Sequence, residues 1–279
     1  MSTHLEPAAP VNPVPATYSR LSVGQFAERF RGEVIPLSNT FSYFCASLPM
    51  SDDVLKEYLE EPVAALPPAI AAMLPRISIL LVPYLERSAE KAQAKAAKRK
   101  KPVRGAVERL LDFVVEDRPA DGQQSWASTV EFENETVLVF ALKESDVADY
   151  HYRFFRNLAA LVAELWPKEV CERYVELLRE ELNAHFHGEV DEASWQAKQA
   201  LQRRQSNIKR ETQLFRDYAR HSFTDTLTLY LHGICCDIDV ETGPRQLPSR
   251  HLRRRLNLLR NAFPPPAGYG VFPEDEISK

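Results

Sequence analysis

Glycine is scarce in this chain, with 9 residues in 279. Nucleotide sites lean on glycine, because only a bare backbone can wrap closely around phosphate oxygens. Neither G-x-x-x-x-G-K-[ST] nor G-x-G-x-x-G occurs. ATP or NAD chemistry through a familiar loop is therefore not expected, nor is any cofactor. Cysteine is also rare. Cys45 and Cys171 stand alone, Cys235 and Cys236 are adjacent, and no pair has C-x-x-C spacing. A disulfide framework and a zinc knuckle both need spacings that are missing. Four free thiols suit a reducing, cytoplasmic setting. Long apolar runs are missing as well. The most apolar window, 67–85, is cut by Pro67, Pro68, Pro75 and Pro83 and carries Arg76. A membrane span needs about 20 apolar residues with an intact helical backbone, so the window reads as buried core. Residues 1–17 have no basic start followed by an apolar run, so no signal peptide is expected.

A hydrophobic fraction of 44% and a net charge of −4 are ample for a packed core and wrong for a wholly basic nucleic-acid binder. The stretch 145–230 organises the rest. Val147, Tyr150, Phe154, Leu158, Leu161, Val162 and Leu165 recur every three or four residues, which is one face of a helix. Ser145 and Asp146 suit its N-terminus. Trp166-Pro167 ends it, since proline disfavours helical geometry in the preceding residue. A second helix follows through Val170, Tyr174, Leu177, Leu178, Leu182 and Phe186, with Gly188 as its stop.

Four regions are expected. Residues 1–18 form a disordered Pro/Ala-rich tail. Residues 19–89 form an N-terminal helical region, with short helices at 21–30 and 51–61 and another opening at Pro75. Residues 90–103 form a basic linker or exposed helix, and 104–279 a helical body carrying a β-hairpin. Val107, Leu110, Leu111 and Val114 return to helical spacing, while Phe41, Tyr43 and Cys45 alternate as in a strand. The hairpin covers 125–142: Val130 and Phe132 alternate, Asn134-Glu135 turns, and Val137, Val139 and Ala141 alternate again. That places Phe132 opposite Val137 and Val130 opposite Val139. Residues 195–220 read as one long polar helix with a thin seam of Leu201, Ile208 and Phe215. Residues 226–240 fit a helix or a second hairpin turning at His232-Gly233. Ser249 starts a last helix with Leu252, Leu256, Leu259 and Phe263 on its buried side. The fold class is thus mainly α (α+β): a helical, bundle-like body with a small antiparallel hairpin.

Three constellations carry chemistry. Arg250, Arg253, Arg254, Arg255 and Arg260 stand in a segment without acids, and guanidinium groups neutralise phosphates. The same side chains pair equally well with carboxylates at 172–181 or 191–192, and no RNP or zinc-finger motif accompanies them. Basic segments at 91–104 and 203–210 add to the charge. Nucleic acid or another polyanion is one reading. A metal hydrolase using His232, Asp237 and Asp239 is another. His185 and His187 are two residues apart, which points them roughly 200° apart on a helix, whereas ligands on one face need a spacing of three or four. Cys235 or Cys236 with His232 or His221 could form a thiolate–imidazole pair, but no orienting group or protease signature is visible. No catalytic or metal residue is assigned from sequence. The remaining reading is a non-enzymatic interaction or regulatory protein that meets a protein partner through 195–220 and the arginine helix.

Overall fold

A computed structural model describes residues 21–46, 48–87, 112–115, 123–203, 210–236 and 247–272. The expected tail and the 90–103 linker lie outside them, as do Asp237 and Asp239. The elements in chain order are α1 (Val23–Phe30), β1 (Ile35–Pro36), β2 (Phe41–Cys45), α2 (Asp52–Leu55), a π-helical turn (Lys56–Glu60), α3 (Glu61–Ala64), α4 (Pro68–Met73), β3 (Arg76–Val82), β4 (Tyr84–Arg87), β5 (Asp112–Val115), β6 (Gln123–Ser125), β7 (Ala127–Phe132) and β8 (Glu135–Ala141). Five helices follow: α5 (Val147–Leu165), α6 (Lys168–Asn183), α7 (Glu192–Gln202), α8 (Gln213–Cys236) and α9 (Ser249–Ala262). The architecture is mixed α+β rather than a helical bundle. A five-stranded sheet, ordered β1-β2-β3-β8-β7, stands beside a three-stranded one, β5-β4-β6.

The centre of the large sheet corrects one expectation. Residues after Pro75 form strand β3, not a helix, and β3 lies parallel to both β2 and β8. Ile77, Leu80, Leu81, Tyr84 and Leu85 do have helical spacing, but every residue from Ile77 to Val82 is buried. A strand covered on both faces reads as an unbroken apolar run, so period alone cannot separate it from a helix. Two prolines seven residues of strand apart favour the strand, because a helix that short is marginal. Pro83 is the corner between the two sheets.

Alternation along β3 and β8 divides the core. Ile77, Ile79, Leu81, Leu138 and Phe140 join a cluster with Phe154, Leu158, Tyr174, Leu178 and Leu182 of the helices. Leu80, Val82, Val137, Val139 and Ala141 join Val23 and Phe26 of α1 and Leu85 and Val114 of the small sheet. Val114 is therefore a strand residue and not part of a helix. The β7–β8 hairpin exists, with Val130 opposite Val137 and Phe132 opposite Glu135. Its register is two residues from the expected one, because Glu133-Asn134 makes the turn. A slip of two preserves the face of each side chain, so the apolar pairs still point to one core.

Helix α5 starts at Asp146, whose carboxylate accepts from the Asp149 N–H at 2.8 Å. Helix α6 ends earlier than Gly188. His185 takes the left-handed conformation (φ 56°), the His185 N–H bonds Leu182 O, and the Phe186 N–H bonds Glu181 O. That is a Schellman close. The long helix expected over 195–220 is two helices, α7 and α8. The 226–236 stretch is helical, which removes the second hairpin as far as Cys236. Helix α8 is buried on every side from Ser222 to Ile234, so it shows no clean stripe. Its polar side chains bond inward: the Thr226 and Thr228 hydroxyls donate to Ser222 O and Thr224 O at 2.7 and 2.8 Å. Pro248, not Ser249, is the cap position of α9. Among the described residues no helix is long and apolar enough to cross a membrane.

Candidate functional site

Of the five arginines singled out on α9, Arg255 is inside the protein. It lies three residues after Leu252 and four before Leu259, on the buried stripe, and has 0% exposure. Its guanidinium donates to Glu181 Oε2 at 2.6 and 3.1 Å, to Glu189 at 2.7 and 3.1 Å, and to Ser222 Oγ at 2.9 Å. Lys198 Nζ donates to Gly188 O at 2.8 Å and stands 3.2 Å from Glu189. The Tyr218 hydroxyl donates to Glu189 at 2.5 Å. Two cations thus face two carboxylates, and the buried charge balances. The other four sit differently. Arg254 pairs with Glu180 at the surface, Arg253 and Arg260 lie over Phe272, and Arg250 lies over Phe186. A polyanion reaching α9 would meet these four and not Arg255.

The network sets an acid limit on the fold. Burial alone would raise the Glu189 pKa, but Arg255, Lys198 and Tyr218 outweigh it and hold the carboxyl at about 2. Its folded value lies below the unfolded one, near 4.3. The stabilisation is therefore complete above about pH 5 and is lost as pH falls toward 2. Urea midpoints measured between pH 7 and pH 3 should fall steeply below pH 5 for the native chain. In Glu189→Gln the loss below pH 5 should be shallower, from an already weaker protein.

A second cluster joins three elements. His151 lies on α5, buried to 4% exposure, and Cys235 and Cys236 close α8. His151 Nδ1 is 3.1 Å from Cys236 Sγ, and His151 Nε2 is 2.9 Å from the carbonyl oxygen of Glu57. The π-helical turn explains why that carbonyl is open. The Glu61 N–H bonds back to Lys56 O, and the next residue in line for Glu57 O is Pro62, which has no N–H. A carbonyl can only accept, so Nε2 carries the proton and donates. Nδ1 then presents its lone pair, or a second proton if the ring is charged, to the Cys236 sulfur. Burial lowers the His151 pKa, but the bonds to Cys236 and Glu57 O outweigh it and the pKa is raised. The Cys236 thiol is pulled well below the usual range, first by a hydrogen bond from Cys235 and then by His151 and His232 against the effect of burial.

Part of this was readable. His232 and Cys236 are four apart on one helix face, and the sequence reading paired these groups. His151 was missed. Its signal is position: a histidine four residues after Val147 and three before Phe154 stands on an apolar stripe, where a titratable group needs a partner. His221 is exposed and belongs to no such cluster among the described residues. His185 serves the close of α6, and His187 is exposed.

A third feature is a groove of about 230 Å³ between α5, α6 and α8. Ala163, Trp166, Val175, Phe215 and Ala219 make its apolar floor, with Glu211, Arg216 and Arg220 as its polar edge. Thr212 fixes the start of α8 here by accepting from the Phe215 N–H at 3.2 Å. No family model, curated protein or solved structure matches this chain.

Proposed function

We propose that this chain is a non-enzymatic interaction protein, and that it receives an amphipathic helix of a partner protein in the groove between α5, α6 and α8. The observation carrying this reading is an apolar floor left open between three helices, with an exposed leucine in the chain next to each of two of its residues. Leu165 and Leu214 are 51% and 41% exposed, and each is next in sequence to a groove residue, Trp166 and Phe215. An open, concave apolar surface with a polar rim marks a contact site rather than ordinary surface. A floor of aromatic and small side chains contributed by three helices suits helix-in-groove docking, with apolar anchors inserted every three or four residues. Arg216 at the edge favours a carboxylate on the flank of the incoming helix, while Arg220 already pairs with Glu164. The groove also lies in the 210–220 part of the segment whose sequence suggested a docking surface.

The test is isolation of the native complex from source cells, followed by the exposed variants Leu214→Asp and Arg216→Glu. Neither side chain supports the core, so folding should persist within about 0.5 kcal/mol. Loss of an interface anchor costs about 2 kcal/mol or more, so the dissociation constant should rise roughly 30-fold for Leu214→Asp. A chain that elutes alone as a monomer, or a complex indifferent to both variants, overturns the reading.

A further inference from the structure

We propose that His151, Cys235 and Cys236 form a binding site for a borderline-soft divalent metal ion, zinc above all, that ties the end of α8 to α5. One potential ligand atom from each residue is present, and all three lie within 4.8 Å of one another. Tetrahedral zinc with ligand bonds of about 2.0–2.3 Å needs donors roughly 3.3–3.8 Å apart. The distance from Nδ1 to Cys236 Sγ, 3.1 Å, is already near that separation, and small rotamer changes at the end of a helix can bring in Cys235.

The chemistry of the donors selects the ion. Thiolate and imidazole together favour zinc over magnesium or calcium, which take oxygen ligands. Two thiolates also balance the charge of a divalent cation. The imidazole is set up for the role. A metal-bound histidine usually donates its other N–H to a carbonyl or carboxylate, which fixes ring and tautomer. Here the Glu57 carbonyl, left open by Pro62, takes the Nε2 proton at 2.9 Å. Nδ1 is therefore the free ligand atom, and it is the one facing the sulfurs.

A fourth donor stands close by in sequence. His232 is one helical turn before Cys236, is 9% exposed, and has a buried Nε2 with no hydrogen-bond partner among the described residues. An unpaired buried ring nitrogen is costly. A ring rearrangement that turns a nitrogen toward the ion would complete the tetrahedron, and a water would otherwise fill the fourth position. The site is independent of the docking groove, which uses Phe215 and Ala219 at the far end of α8.

Cobalt substitution tests the assignment on the full, reduced chain purified without a histidine tag. Co²⁺ added to one equivalent should give thiolate-to-cobalt charge-transfer absorption and intense tetrahedral visible bands. Zn²⁺ should abolish both at one equivalent. Competition against a chromophoric chelator gives the affinity, and Cys236→Ser should weaken it at least 100-fold. Cys235→Ala and His151→Gln should each weaken it at least tenfold, with circular dichroism of the apo variants checking their folding. His151→Gln is the more invasive change, so the native cobalt spectrum and Cys235→Ala suffice without it. Absence of charge-transfer absorption in the native chain overturns the proposal. So does stoichiometric binding that survives Cys235→Ala with Cys236→Ser.

Discussion

Arg255→Ala is expected to destabilise the fold by about 3–5 kcal/mol, a large part of the 5–15 kcal/mol that ordinary domains possess. The substitution removes the one group that, among the described residues, bonds Glu181 and Glu189 together, and both carboxylates are completely enclosed. Lys198 still faces Glu189, so Glu181 suffers most. Burying an unpaired charge is far worse than losing a surface pair, and the neighbouring residue supplies the comparison. Arg254 pairs with Glu180 at 2.6 Å, but both side chains are about half exposed. Such pairs contribute about 0–1 kcal/mol. Urea denaturation of Arg254→Ala should therefore shift little beside that of Arg255→Ala. Equal shifts in the two variants would mean that the buried network does not hold α9 to α6. Arg255→Lys should fall between them, since a point charge cannot reproduce five donors in a fork.

Phe154→Ala should cost about 3–5 kcal/mol through a cavity beneath the sheet. Phe154 is 0% exposed. Its ring centroid lies 6.4 Å from Phe41 of β2, 6.2 Å from Phe140 of β8 and 5.3 Å from Phe155. One side chain thus joins α5 to two parallel strands that are distant in sequence. Truncation removes the attraction of these contacts and the transfer energy of a buried ring, and a stiff sheet cannot collapse to fill the space. Calorimetry should show the midpoint fall by roughly 10 °C or more. Leu165→Ala, at the exposed end of the same helix, should shift it by a degree or two. A small loss at Phe154 would mean that α5 does not rest on the sheet.

How much of this was legible depends on how each element meets its neighbours. Helices α5 and α6 are covered on one side only, so their apolar stripes were plain, and Phe154, Leu158, Leu178 and Leu182 are buried as those stripes require. The hairpin was plain because β7 alternates half-buried with exposed residues and a polar turn follows it, although β8 itself is buried on both faces. Strand β3 and helix α8 were obscure because each is surrounded. Surrounding an element erases the contrast between its faces, and only that contrast reveals period. The floor of the groove could not be read from any one segment, since Ala163, Val175 and Phe215 come from three helices. The thiol cluster was half visible: His232 and Cys236 share a helix face, while His151 comes from another helix and the Glu57 carbonyl is a backbone atom freed by a proline five residues on.

Local order alone therefore determined where the one-sided helices and the hairpin run, because period, capping and proline act over a few residues. Tertiary structure decided which charges are interior. The same Arg-Arg-Arg run places Arg253 over a ring, Arg254 at the surface and Arg255 between two enclosed carboxylates. Successive residues on a helix point about 100° apart, and what waits in each direction is set by parts of the chain some seventy residues away.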